Sequence, residues 1–313
     1  MKPIFRPYQT EDDSWRMREF LRQVFLLNGC LERSWHVARL DYARWHSLIN
    51  CAKLGLEDVA YLWEDGDQLI AIMMPDGGFG EAHFLVNPNL RSLDLEEEML
   101  GVAEEHLATI KSDSSRTLCI WAPEPDQLRQ DLLVRYNYLK RDRPEFQWRR
   151  RLELPISDIS IHPGYQIRAL GDGLELLERC YASGLGFHEG DIQVAVDNRN
   201  DPTWYRNIQR APLYRRDLDL VAIAPDGSIA GFCTIWFDDV TRSGYFEPVA
   251  VVPTHRRRGL GKAIMNAGLR KLQQMGAETG FVCGYTPAAN ALYQSVMGPD
   301  YELYEPWIKE WLP

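Results

Sequence analysis

The spacing of hydrophobic and polar positions is clearest in the second half of the chain. Tyr165–Leu170 predicts a short strand. From Asp172 to about Ser183, Leu174, Leu177, Cys180 and Tyr181 recur at helical spacing. Residues 184–200 are rich in Gly and Asp and predict irregular chain. Asp201-Pro202 predicts a helix start, with proline in the first turn, running to about Ile208. Leu218–Ala224 and Ile229–Trp236 flank Pro225-Asp226-Gly227, a hairpin pattern. Tyr245–Val252 predicts a strand, and Gly259 to about Met275 a helix closed by Gly276. Gly280–Tyr285 predicts a strand, Pro287 or Ala288 to about Met297 a helix, and Tyr301–Trp311 a last strand. The order β-α-α-β-β-β-α-β-α-β is a mixed α/β pattern.

The first half repeats this pattern. Phe5-Arg6-Pro7 resembles Ile167-Arg168-Ala169, 162 residues on, and Asp41 with Trp45 resembles Asp201 with Tyr205, 160 residues on. Asp65-Gly66 resembles Asp226-Gly227 at 161, and Val86-x-Pro88-x-x-Arg91 resembles Val251-x-Pro253-x-x-Arg256 at 165. Four weak matches in one order at a nearly constant offset predict a duplication. A strand-like run from Phe146 to Leu154 ends at Pro155, and Pro163-Gly164 offers a turn before the second copy. The boundary is therefore expected near 151–164, giving domains 1–153 and 154–313. The 313 residues agree with two domains at roughly 150 residues each.

Composition narrows the function classes. With 45% hydrophobic and 26% charged residues, the chain is neither disordered, collagen-like nor a coiled coil. A formal net charge of -10 excludes binding of nucleic acid or anionic membrane through bulk charge. No run of about 18 apolar residues predicts a membrane span. The start, MKPIFRPYQTEDD, shows no apolar leader segment, so a cytoplasmic location is expected. The six cysteines form no CxxC pair and read as small buried hydrophobes of a reduced compartment. No His, Cys, Asp and Glu cluster has metal-ligand spacing, so no metal is expected.

The stretch Val249-Ala250-Val251-Val252-Pro253-Thr254-His255-Arg256-Arg257-Arg258-Gly259-Leu260-Gly261-Lys262 carries the chemistry. A buried strand runs into a basic, glycine-containing turn that opens an amphipathic helix with Ile264, Leu269 and Leu272 on its apolar side. A helix N-terminus has unsatisfied N–H groups and partial positive charge, which suits phosphate. Gly259 and Gly261 leave room for a close-lying pyrophosphate and permit positive φ. The arginines add potential and bidentate donors. Neither the Walker pattern GxxxxGK[ST] nor GxGxxG is present.

Arg256-x-x-Gly259-x-Gly261 after the Val251-x-Pro253 strand end resembles the acyl-coenzyme A motif of the GNAT N-acetyltransferases. Ala289-Asn290-Ala291-Leu292-Tyr293 resembles the second conserved segment of that family. The element order over roughly 165–313 matches the family fold, and the tandem arrangement resembles mycothiol synthase and other two-domain members. The resemblance implies two tandem GNAT-like domains, each a mixed, mostly antiparallel sheet flanked by helices. It implies acetyl-CoA as co-substrate, with the backbone of Arg256, Arg257, Arg258, Gly259, Leu260, Gly261 and Lys262 around the pyrophosphate. The strand Val249, Ala250, Val251 would hold the pantetheine arm, with Asn290 a further partner.

The family transfers acyl groups directly. An amine of pKa near 10 is mostly protonated at neutral pH, so a general base helps. Glu247 is the candidate, by strand parity with Tyr245, Val249 and Val251 and by its place before Pro248, which would open the strand edge. Many members carry the acid two positions earlier, where this chain has Tyr245; a water relay from Glu247 is the alternative. Tyr293 is the candidate acid for the leaving sulfur. His188, Asp238-Asp239, Trp204, Tyr205 and Tyr214 are weaker candidates for the acceptor side: His188 and Asp238-Asp239 read more readily as a solvated loop and turn, and core packing explains Trp204, Tyr205 and Tyr214 as well.

In the first copy, Asp94 and Glu96 align with Gly259 and Gly261, followed by Glu97 and Glu98. Carboxylates suit a helix start but repel a pyrophosphate. The first domain is thus expected not to bind coenzyme A. The leading function is acetyl transfer to a small-molecule amine in the C-terminal domain. The alternative is a non-catalytic coenzyme A-binding or sensor protein.

Overall fold

In a computed structural model, residues 3–158 and 161–312 are described. The chain divides into two compact units, Met1–Gln147 with Glu302–Pro313, and Trp148–Tyr301. The cut expected after residue 153 differs in two ways. It falls within a strand, β8 (Glu145–Arg151), and the last strand joins the first unit. A strand pattern reveals burial and period but not which strand lies beside it. Ile159 and Ser160 of the expected linker lie outside the described residues.

The first unit opens with β1 (Ile4–Pro7) and α1 (Glu11–Leu27), followed by α2 (Val37–Tyr42), a π-helical segment Ala43–Ala52 and α3 (Leu56–Val59). Then come β2 (Tyr61–Asp65), β3 (Gln68–Met74), β4 (Glu81–Val86), α4 (Leu93–His106), β5 (Thr109–Ile110), β6 (Arg116–Pro123), α5 (Gln127–Arg135) and β7 (Leu139–Lys140). In α1, Met17, Leu21 and Val24 are buried at helical spacing. Strands β1 to β4 form an antiparallel meander. β4 then pairs parallel with β6 over three rungs, from Glu81↔Cys119 to His83↔Trp121. β14 (Tyr301–Trp311) pairs antiparallel with β6 over eight rungs, Tyr304↔Pro123 to Trp311↔Arg116.

The second unit holds β9 (Gln166–Ala169), α6 (Glu175–Phe187), α7 (Ile192–Asn200), α8 (Thr203–Ile208), β10 (Asp219–Ile223), β11 (Ile229–Asp238), β12 (Ser243–Val251), α9 (Leu260–Gln274), β13 (Thr279–Gly284) and α10 (Pro287–Met297). β9, β10, β11 and β12 are antiparallel neighbours. β12 and β13 are parallel over three rungs, Ser243↔Thr279 to Tyr245↔Phe281. The rung His83/Trp121 of the first unit and Tyr245/Phe281 of the second differ by 162 and 160 residues, the offsets of the sequence repeat.

The irregular stretch expected at 184–200 is mostly helix. α6 runs on to Phe187, and α7 starts at Ile192 with Asp191 as its cap, its carboxylate accepting from the N–H groups of Gln193 and Val194. Gly184 serves helix contact rather than a loop: a Cβ there would lie 2.5 Å from the Cα of Ala195. α6 also begins three residues later than expected, at Glu175.

Candidate functional site

Beyond Tyr245 and Phe281, β12 and β13 separate. Val252 donates its N–H to the Ala230 carbonyl (2.9 Å), so strand alternation turns the polar groups of Val249 and Val251 to the opposite edge, where β13 has diverged. Between the strands lies a cleft of about 430 Å³, lined by Val249, Ala250 and Val251, the turn after β12, and Leu292 and Tyr293 of α10. This is where the sequence placed the pantetheine arm. The Val251 carbonyl, however, accepts from Arg256 Nε at 3.2 Å, which leaves Val249 as the open rung.

At the end of the cleft, the turn enters α9 with Gly259 as N-cap at φ +73° and no side-chain cap. Arg257 also has positive φ, at +64°. A glycine cap leaves the first amides of the helix facing outward without an internal acceptor. Gly261 plays a different part from the one expected. It is helical, and a Cβ there would stand 2.9 Å from Leu292 Cδ2. It lets α9 approach α10 at the cleft wall; only Gly259 needs the left-handed conformation.

The three arginines separate in role. Arg256 bridges to Glu189 at 2.7 Å and donates to the Gly186 carbonyl, bracing the turn against the end of α6. The Arg256 hydrogen bond holds the Glu189 carboxyl below its ordinary range. Arg258 donates to the Tyr165 hydroxyl, which also bonds His255 Nδ1 at 2.8 Å. Arg257 and Lys262 are exposed at the cleft mouth. Asn290 does not line the cleft. Its amide oxygen accepts from Trp148 Nε1 at 3.0 Å.

Tyr293 lines the cleft and is 8% exposed. Burial, then the nearby Glu247 charge, raises its pKa well above the usual phenol value. Its hydroxyl has no hydrogen-bond partner among the described residues and is available to the cleft. Glu247 is half-buried. It lies in a bulge: Ile235 faces Phe246 and Cys233 faces Val249, so Glu247 and Pro248 oppose Thr234 alone. The expected opening of the strand at Pro248 takes this form. The bulge also overturns the parity argument. Tyr245 shares a face with Trp236 and Val249 with Cys233, and positions three apart on β11 point to opposite faces. Glu247 therefore stands at the turnover between faces, not in line with Tyr245 and Val251.

Among the weaker candidates, His188 is exposed at the end of α6. Asp238 is buried and caps its own turn, accepting from Thr241 N–H and Oγ1 at 3.0 and 2.7 Å. Tyr205 is fully buried and donates to Asp219 at 2.5 Å, and Tyr214 donates to the same oxygen at 2.8 Å. This Asp219 anchor was not singled out in the sequence, where it is one acidic residue at a strand start. Cys180 and Cys233 are buried as expected, but Cys51 is exposed. Among the described residues, no group of three or more His, Cys, Asp or Glu side chains is placed to hold a metal ion. No helix of the described residues is long and apolar enough to cross a membrane.

The first unit carries the matching cleft in another state. It measures about 190 Å³ and is lined by Phe84 and Val86 of β4, Arg91, Asp126 and Arg129. α4 is capped by Ser92, whose hydroxyl accepts from Leu95 N–H. Aligned by helix start, Ser92 stands opposite Gly259 and Asp94 opposite Gly261, because the first turn is two residues shorter. The alignment of Asp94 and Glu96 with the two glycines is corrected accordingly. Glu96, on the next turn and fully buried, accepts from Arg91 Nε (2.5 Å) and from Arg129 Nε and Nη2 (3.0 and 2.9 Å). Asp126 holds Arg91 through both oxygens at 2.7 Å.

Residues 193–298 match the model of the acetyltransferase (GNAT) family, and the chain thus carries a GNAT domain there. Over 99% of its length it is similar to a GCN5-related N-acetyltransferase from Sphaerobacter thermophilus, covering 96% of that chain at 18% identity and TM-score 0.65. A tandem GNAT protein from the clavulanic acid biosynthesis pathway matches at 12% identity and TM-score 0.65, with 99% of this chain and 98% of that one covered. A GNAT-family acetyltransferase from Colwellia psychrerythraea matches at 10% identity and TM-score 0.59, covering 98% of this chain and 100% of that one. These likenesses are of fold. No curated protein matches the sequence.

Proposed function

We propose that the second unit moves an acetyl group from acetyl-CoA to an amine of a small molecule by direct transfer, and that the first unit does not bind the cofactor. The observation that carries this reading is the uncapped start of α9 at the end of the cleft between β12 and β13, with Tyr293 on the cleft wall. The residues fit the group. The outward amides after Gly259 suit a pyrophosphate, and Arg257 and Lys262 add charge beside them. The free edge of β12 at Val249 suits an amide-bearing arm. The bound thioester supplies an activated acyl carbon and a thiolate leaving group.

Glu247, directly or through water, takes the proton of the incoming ammonium group. Tyr293, kept neutral by its burial, gives a proton to the leaving sulfur. In the first unit, the hydroxyl of Ser92 caps the corresponding helix start, and the carboxylate of Glu96 takes up the arginines Arg91 and Arg129.

Isothermal titration of acetyl-CoA into the full chain tests the reading. One site per chain is expected, lost in Gly261→Glu, where a carboxylate enters the α9–α10 contact. Two sites would overturn the assignment of the first unit. No binding would overturn the enzymatic reading. Tight binding with no acetylation across a panel of amines would favour a sensor.

A further inference from the structure

The carbonyl of Glu247 lies where the β11–β12 ladder is broken by the bulge, and Pro248 beside it brings no N–H. A part-buried backbone acceptor in such a place is satisfied by a donor from elsewhere. Trp236 supplies it. This fully buried side chain on β11 donates its indole N–H to the Glu247 carbonyl at 2.6 Å. The ring is itself fixed. Tyr214 packs edge-on against it, with centroids 6.3 Å apart. Tyr214 is held by Asp219 at 2.8 Å and by Gln209 at 2.9 Å. Asp219 is held in turn by Tyr205 at 2.5 Å and Thr234 at 3.3 Å, all three fully buried. A buried polar anchor on β10 and β11 thus ends, through Tyr214 and Trp236, on the main chain of the bulge.

We infer that Trp236 is a positioning residue for Glu247, setting the direction of its carboxylate by fixing the peptide plane of the bulge. The inference rests on the reading of Glu247 as general base. Trp236, like Glu247, is not among the residues lining the cleft, and it bonds the bulge at that carbonyl. Without the indole N–H, the Glu247 carbonyl turns toward another donor and the side chain on the same residue turns with it.

The test uses the full chain with 15N-labelled tryptophan. In wild type, one indole N–H resonance is expected to be protected from solvent exchange and to move with pH as Glu247 ionises. In Glu247→Gln the same resonance stays fixed, and in Trp236→Phe it is absent. An indole spectrum that responds identically to pH in wild type and Glu247→Gln would overturn the inference, whatever the turnover. Turnover is then read as coenzyme A release with a polyamine, an amino sugar and a dipeptide amine. Trp236→Phe is expected to lower kcat at least tenfold and shift the acid limb of its pH profile, with the acetyl-CoA Kd within twofold of wild type. Unchanged kcat and profile in Trp236→Phe would overturn the positioning role and leave the function standing. Equal turnover of wild type and Glu247→Gln would instead remove Glu247 as base, and the inference with it.

Discussion

Replacing Glu96 with Gln leaves two guanidinium groups of the first unit short of a counter-charge. Arg129 is 3% and Arg91 24% exposed at the side chain, and Glu96 is wholly buried. Removing one partner of a buried pair typically costs about 3–5 kcal/mol. Asp126 remains, bonded to Arg91 through both oxygens and 3.9 Å from Arg129 Nε, so the low end, about 3 kcal/mol, applies here. For a unit of this size a kilocalorie corresponds to about 2–4 °C, so the melting of the first unit should fall by about 6–12 °C. Burial alone would raise the Glu96 pKa, but Arg129 and Arg91 outweigh it and hold the carboxyl below its ordinary range. A depressed carboxylate stabilises above its unfolded pKa, about 4.3, and loses that contribution as the pH falls through the folded value. The gap between wild type and Glu96→Gln is therefore full at pH 7 and closes below about pH 4. Calorimetry of the full chain from pH 3 to 8 reads both features. Sodium sulfate should restore more stability to the variant than to wild type, because an anion bound at the cleft beside the part-exposed Arg91 replaces lost counter-charge. A gap under about 1 kcal/mol at pH 7, or one that widens in acid, would refute the reading of Glu96 as the buried counter-charge of Arg91 and Arg129.

Three further outcomes follow from the second unit. Tyr293→Phe should lower kcat about a hundredfold, the usual scale for one general acid, with the acetyl-CoA Kd unchanged by titration. Because burial raises the Tyr293 pKa, the wild-type kcat should show no alkaline limb from its ionisation below about pH 10. Gly259→Ala forces a Cβ into φ +73° and should cost about 1–2 kcal/mol in denaturant unfolding, while Gly227→Ala, at another positive-φ turn away from the cleft, costs a similar amount without touching cofactor binding. Glu189→Gln releases Arg256 from its ion pair at the cleft mouth and should tighten acetyl-CoA; unchanged affinity would confine Arg256 to bracing the turn.

Much of this was legible because it depends on local chemistry. The turn Arg256–Gly261 announces itself through residue types that no ordinary helix start needs. The repeat announces itself through its offset, and the parallel rungs reproduce that offset. What stayed hidden was non-local. The exchange of the C-terminal strand into the first unit leaves no mark on the strand's own sequence. The bulge at Glu247-Pro248 reverses side-chain parity, and strict alternation cannot foresee a reversal that depends on the partner strand. Gly184 and Gly186 looked like loop residues, yet Gly184 lies where α7 crosses α6 and a Cβ at Gly186 would press on Ala250 at 3.1 Å. Glycine spacing reports close approach as readily as a turn, and only the packing tells which.

The two helix starts answer the same physical demand in opposite ways. Every α-helix begins with amides that lack internal partners. In α4, Ser92 takes one, and the buried Glu96 carboxylate one turn on neutralises Arg91 and Arg129, which line the cleft. In α9, the cap position has no side chain at all, and the next glycine brings the helix against Leu292 so that the cleft wall closes around the turn. A chain folding only for stability would still lean to the first arrangement both times, by about a few tenths of a kcal/mol over a glycine cap. That the second unit forgoes it, beside a cleft more than twice as large, is the physical reason to assign the external anion to α9 and not to α4. It follows that installing Ser at position 259 should raise the stability of the chain little, since the cap residue must leave the left-handed conformation to use its hydroxyl, while weakening acetyl-CoA binding; a variant more stable and equally tight would show that the bare cap serves no ligand.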